Sequence, residues 1–240
     1  MKTAVVIGVG PLRGLGASLC RAAAAEGLHV VAAGRSRTRL EAVVEAVKAA
    51  GGEATAMPCD ATDEAQVVAL LSGAEAIGPV VLAIYNAGNN MPGSFLDMTL
   101  DHFDTCYRVG LKGGFLFARE ALRRMAPRGD GCLLFTGASA SMRGKPGFAA
   151  FTAAKGGLRN LAQSLAREFQ PRGIHVGHVV IDGGIYGAKI EENYPEFYEQ
   201  LGEDGLLGLE GIAEAFMYLY RQPRNAWTHE LDLRTFKENF

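Results

Sequence analysis

The stretch Thr3-Ala4-Val5-Val6-Ile7-Gly8-Val9-Gly10-Pro11-Leu12-Arg13-Gly14-Leu15-Gly16 decides the fold. An apolar, β-branched run leads into a glycine-rich turn, after which a helix opens. Val5-Val6-Ile7 is apolar on consecutive positions, which suits a strand covered on both faces. Gly10, Gly14 and Gly16 then follow in the pattern G-x-x-x-G-x-G, with Leu15 between the last two. Glycines there permit a tight turn and let the backbone approach a pyrophosphate at a helix N-terminus. A glycine pattern alone is a weak signal; its position between a strand and a helix gives it meaning.

The same alternation continues outward along the chain. Strands are expected at 3–9, 28–33, 53–58, 79–84, 131–136, 174–181 and 229–233. Helices are expected at 36–49, 99–126 and 149–170. In the last of these, Leu158, Leu161, Ala162, Leu165 and Phe169 fall on one helical face. Strands alternating with helices predict an α/β fold, a Rossmann-type doubly wound parallel sheet. The chain of 240 residues contains no linker or repeat and reads as one domain over 1–240. Residues 187–204 carry six acidic side chains against a single Lys189, so a mobile substrate loop is expected at about 186–208.

Composition narrows the function classes. A net charge of -2 gives no basic footprint for nucleic acid or an anionic membrane. No apolar run reaches the ~18 residues that a spanning helix needs. Cys20, Cys59, Cys106 and Cys132 are scattered, as structural cysteines of a reducing compartment would be, so a cytoplasmic location is expected. His175 and His178 alternate to opposite faces of one strand, which argues against a shared metal site, and no metal is expected.

The second strand ends in Gly34-Arg35-Ser36. A carboxylate at that strand end would bind the adenosine ribose hydroxyls and favour NAD. Here the residue is glycine, Arg35 follows it, and Arg13 lies in the glycine turn. Two guanidiniums suit a 2′-phosphate, which favours NADP(H); two ordinary surface arginines are the alternative. Asp60, followed by Ala61, could bind the adenine amino group or cap the helix starting near Asp63.

Together with Asn86-Ala87-Gly88 after the fourth strand, Lys155 in a long helix and the Gly183 turn after the sixth, these landmarks resemble the short-chain dehydrogenases/reductases of single-domain, classical form. The resemblance covers nearly the whole chain. It implies a seven-stranded parallel sheet, a nicotinamide cofactor, a small-molecule substrate and a homodimer or homotetramer. It further implies that Asn86-Ala87-Gly88 packs beside the adenosine ribose and that Lys155 holds the nicotinamide ribose. Ile185 would offer backbone contacts to the nicotinamide.

The departures from the family pattern carry as much information. The proton-donating tyrosine is expected four residues before the lysine, and Phe151 stands there. The serine position falls on Ala138, with Ser139 adjacent as a substitute. The relay asparagine position holds Gly110. Phe148 occupies the alternative tyrosine position seven residues before the lysine, and Gly187 the threonine position that grips the carboxamide. Tyr186, Tyr85 and His102 are further polar candidates, each with an ordinary packing role as the alternative. General acid–base catalysis is worth ~10²–10⁴-fold, so ordinary ketone reduction should be nearly silent. Three readings follow: an atypical NADP(H)-dependent oxidoreductase acting on a carbonyl- or imine-type substrate, a nucleotide-binding sensor or partner, and a non-redox scaffold.

Overall fold

The computed structural model describes residues 1–238, with all side chains except those of Phe197 and Tyr198. Seven strands form one parallel sheet: β1 (Thr3–Ile7), β2 (His29–Gly34), β3 (Glu53–Pro58), β4 (Val80–Tyr85), β5 (Gly131–Thr136), β6 (Ile174–Asp182) and β7 (Glu230–Arg234). Their order is β3-β2-β1-β4-β5-β6-β7. The helices are α1 (Leu15–Ala25), α2 (Arg37–Ala49), α3 (Glu64–Ile77), α4 (Leu100–Tyr107), α5 (Gly113–Met125), α6 (Ala149–Phe169), α7 (Ala188–Asn193), α8 (Pro195–Leu201) and α9 (Leu209–Arg221).

The reason for this arrangement lies in the strands. β1 and β4 are buried at every position. Their alternate side chains therefore feed two cores. Val6, Leu82 and Leu134 pack with α1, α2 and α9 on one face. Val5, Ala83, Leu133 and Phe135 pack with α3, α5 and α6 on the other. The chain winds away from β1 in both directions, because β2 and β4 both pair with it. A crevice opens at the carboxyl ends of strands at such a switch point, and ligands bind there.

One expected element differs from the observed one. The helix expected over 99–126 is divided by a π-type widening at Arg108–Lys112. It carries Gly110, Gly113 and Gly114, whose small size brings this helix against Ala154, Tyr85 and Leu158. The helix expected over 149–170 is observed as α6, with Phe148 as its N-cap.

Candidate cofactor and active site

β1 delivers the glycine turn to the switch point. A Cβ at Gly16 would stand 2.7 Å from the Gly8 carbonyl, so α1 starts directly against β1. A Cβ at Gly10 would meet nothing within 4 Å, leaving its outer side open. Gly10 and the neighbouring Gly8 and Val9 line a cleft of about 500 Å³. Asn86 fixes the opposite wall. Its side-chain amide donates to the Gly8 carbonyl at 3.1 Å, and its Oδ1 accepts from Thr136 Oγ1 at 3.0 Å. Ala87 and Gly88 also border the cleft.

At the far end of the cleft lie Arg35, Ser36 and Arg39. Ser36 caps α2 by accepting from the Arg39 N–H, which sets Arg39 one helical turn beyond Arg35. Arg39 was not expected from the sequence; its spacing of four from Arg35 was the available signal. The glycine between strand and arginine has a steric cause. A Cβ at Gly34 would stand 2.5 Å from the Val9 carbonyl, so no acidic side chain fits without a shift of backbone.

Arg13 lies elsewhere. Its guanidinium pairs with Glu191 of α7 at 2.6 Å and sits 5.7 Å from the Tyr186 ring centroid. Contact with Tyr186 and then with Glu191 raises its pKa. Its carbonyl accepts from the Ala188 N–H at 2.8 Å. Arg13 thus joins the glycine turn to the 186–208 segment, and it is absent from the group at Arg35. That segment contains α7 and α8. Its ends are drawn together where Ile185 pairs with Leu207 and the Tyr186 N–H donates to the Leu207 carbonyl.

Asp60 accepts from the Thr62 N–H and hydroxyl, both at 2.8 Å, while Asp63 caps α3. Asp60, Ala61 and Thr62 all border the cleft. Tyr85 packs behind the Asp60–Ala61 end of the cleft, where its hydroxyl and the Ala61 carbonyl both border Gly113. Its ring is buried against Phe117, and its hydroxyl donates to the Val109 carbonyl at 2.5 Å, because the glycines of the α4–α5 helix leave room for it there. His102 Nε2 lies 3.1 Å from the Met91 carbonyl and holds the 90s loop.

Lys155 is buried, and its Nζ donates to the Thr136 carbonyl at 2.7 Å. Burial lowers its pKa from 10.5 to about 8. The ammonium stands beside Gly88, where a Cβ would be 3.5 Å away, and 5.9 Å from the centroid of the Phe151 ring. No hydroxyl accompanies that ring. Ala138 begins a short 3-10 turn, Ser139–Ser141, in which the Ala138 N–H donates to Ser141 Oγ at 3.1 Å. Ser139 is half-buried and lies on the same turn. Ser141, two residues further on, was missed in the sequence. Gly110 is buried with its Cβ position 2.7 Å from Ala154 Cβ, so an asparagine has no room between these helices.

The loop after β5 is braced from the sheet. Asp182, fully buried at the end of β6, accepts from Arg143 at 2.7 and 2.9 Å. Asp182 is followed by Gly183, which takes a φ of 149°. His175 stacks on Trp227, whereas His178 faces Glu230, so these histidines are held apart. Among the described residues no three His, Cys, Asp or Glu side chains gather as metal ligands, all four cysteines are free and buried, and no helix is long and apolar enough to cross a membrane.

A doubly wound sheet with a glycine turn at its switch point and a buried lysine across the crevice defines a Rossmann-type dinucleotide-binding protein. The chain belongs to the short chain dehydrogenase family, whose model matches residues 2–196. It is 34% identical over 178 residues to the ketoacyl reductase HetN of Nostoc sp., an alignment spanning 72% of this chain and 61% of that relative. The structure of a short-chain dehydrogenase from Rhodopseudomonas palustris is 37% identical, with a TM-score of 0.84 over 98% of this chain and 99% of that one. That of a metagenomic short-chain oxidoreductase in complex with NADP is 26% identical, with a TM-score of 0.83 over 98% and 97%.

Proposed function

We propose that this protein is an NADP(H)-dependent oxidoreductase that acts on a small carbonyl- or imine-type substrate without the family's tyrosine, serine and asparagine groups. The observation that carries this reading is one crevice holding two features. Its far end is bordered by Arg35 and Arg39, and its other wall at Gly88 is backed by the buried Lys155, whose ammonium lies 5.9 Å from the Phe151 ring centroid.

The residues present fit the cofactor. The open side of Gly10 and the wall at Asn86-Ala87-Gly88 leave space for a dinucleotide backbone, with Leu15 and Gly16 opening α1 behind it. Arg35 and Arg39 offer guanidinium forks for a 2′-phosphate. Arg13 supports the site by holding the 186–208 segment against the glycine turn, with Gly183 and Ile185 leading into that segment. Asp60 and Ala61 border the adenine end. The relative solved with NADP supports the same cofactor class.

When bound, the nicotinamide supplies or accepts hydride. Lys155 holds the ribose by charge and hydrogen bonding. Phe151 and Phe148 exclude water and present ring faces, which favour a cationic substrate such as an iminium. Such a carbon accepts hydride without a following proton, so the missing phenol matters least there. Ser139 and Ser141 are the nearby hydroxyls on the 3-10 turn, and Ser139 is the residue proposed to orient the substrate. The protein is proposed to act in the cytoplasm as a homodimer or homotetramer. An apolar groove between α5 and α6, bordered by Phe115, Leu161, Leu165 and Phe169, supports that assembly.

The test is titration of NADPH and NADH, followed by NADPH oxidation with ketones and cyclic imines, for the wild type and Phe151→Tyr. Imine turnover by the wild type and ketone turnover only by the tyrosine variant are expected. Tight NADPH binding with no turnover by the wild type would instead establish the second reading, a nucleotide-binding sensor, partner or non-redox scaffold. That reading draws on the close packing of Gly110 against Ala154, which leaves no room for the relay asparagine.

A further inference from the structure

The chain after β7 has no part in the site described so far, yet it leaves the sheet at the edge where the crevice opens. β6 and β7 run parallel and end together, with Asp182 in register with Arg234. Beyond Arg234 the chain turns back on itself, and the Glu238 N–H donates to the Thr235 carbonyl at 3.2 Å. This turn touches two segments that rise from the same edge. Lys237 Nζ donates to the Glu203 carbonyl at 2.5 Å and to the Leu201 carbonyl at 3.4 Å. Glu238 Oε2 stands 3.4 Å from the Cβ position of Gly183, in the turn after β6.

A cation is the right group for this place. α8 ends at Leu201, and Gly202 takes the left-handed conformation, with φ 65°, that commonly follows a helix. The last carbonyls of a helix lack intrahelical partners and carry partial negative charge. The Lys237 ammonium answers them with donors brought from another part of the chain. The other side of the 186–208 segment is held separately. Glu191 of α7 pairs with Arg13, the Ala188 N–H donates to the Arg13 carbonyl, and a Cβ at Gly187 would stand 2.7 Å from that carbonyl. The segment therefore closes on the same glycine turn that a dinucleotide backbone would use. Pro195, Glu196, Glu199 and Gln200 of α8 are all exposed, and segments held by exposed polar contacts open locally at small cost.

We propose that Lys237 is a positioning residue: by capping α8 it straps the 186–208 segment down beside the Gly183 turn, opposite the hold of Arg13 on α7, and so slows escape of the bound cofactor. The strap itself is a matter of the contacts above. Its effect on cofactor release rests on the NADP(H) site of the proposed function. When the Lys237 contacts break, α8 is freed at one end, and lifting of the segment uncovers the glycine turn.

Two measurements on the full chain test it, with Lys237→Met, which keeps the stem and loses the donors, and Lys237→Arg, which keeps both. The first needs no cofactor: amide hydrogen exchange is followed by mass spectrometry. An exposed charged contact is worth up to about fivefold in a local equilibrium, so amides of 188–203 should exchange about two- to fivefold faster in Lys237→Met. Lys237→Arg should exchange as the wild type does, and all three chains should share one thermal midpoint. The second measurement is NADPH release by stopped-flow fluorescence, which should quicken by a similar factor in Lys237→Met and recover in Lys237→Arg. Unchanged exchange over 188–203 in Lys237→Met would overturn the proposal. Faster exchange spread over the whole sheet would also overturn it, as a general loss of stability, and so would a loosened segment with wild-type NADPH release. A wild type that binds no NADPH would refute the cofactor reading, while local loosening by methionine and its recovery by arginine would leave the strap supported.

Discussion

Replacing Lys155 by methionine should stabilise the protein while removing its cofactor affinity. The side chain is 4% exposed, and burial lowers its pKa from 10.5 to about 8. That difference corresponds to about 3 kcal/mol of penalty for carrying the charge at neutral pH. Methionine fills a similar space but leaves the Thr136 carbonyl without its donor, a loss of about 1 kcal/mol. The net gain is about 2 kcal/mol at pH 7, or roughly 4–8 °C in Tm for a chain of this size.

The pH dependence gives the sharper check. Below pH 8 both folded and unfolded chains hold the lysine proton, and the penalty is fully present. Between about 8 and 10.5 the unfolded chain binds more protons than the native one, so wild-type stability rises with pH. Other groups titrate in that range, because burial also raises Cys20 and Tyr85, and their contribution runs the other way. The difference between wild type and Lys155→Met removes them. Urea unfolding at a series of pH values should show the gap near 2 kcal/mol at pH 7, its closure at about pH 9.5, and a reversal of about 1 kcal/mol by about pH 10.5. A variant no more stable than the wild type at pH 7, or a gap that ignores pH, would refute the reasoning.

Three further outcomes follow from the geometry. Gly110→Asn should destabilise by about 1–3 kcal/mol through collision with Ala154, and Ala154→Gly in the same chain should recover much of it in thermal unfolding. Arg35→Ala and Arg39→Ala should each weaken NADPH binding far more than NADH binding in calorimetric titration; equal losses would remove the 2′-phosphate role. Arg143→Met leaves the fully buried Asp182 with Arg234, at 3.7 Å, as its remaining cation among the described residues, and should cost about 3–5 kcal/mol in denaturant unfolding, whereas a loss below 1 kcal/mol would mean Arg234 suffices.

The legible part of this protein was periodic or local. Val5-Val6-Ile7 and Val80-Val81-Leu82 announced covered strands because burial on two faces leaves no polar position in the sequence. The glycine turn and Asn86 announced the crevice because backbone crowding restricts residue type at fixed spacing. The π-type widening at Arg108–Lys112 left no comparable signal, since it answers to the packing of Gly110, Gly113 and Gly114 against other elements. The partner of the Tyr85 hydroxyl was hidden for the same reason: it is a carbonyl 24 residues away.

Sequence alone determined the doubly wound sheet and the family resemblance, because each depends on residue type at a known position. Tertiary structure decided the partners. Arg13 turned to Glu191 and Tyr186, and His178 met Glu230 across 52 residues. Hydrogen bonds and ion pairs act over a few ångströms, whichever segments bring the groups together, so strand order and helix packing settle which charge answers which.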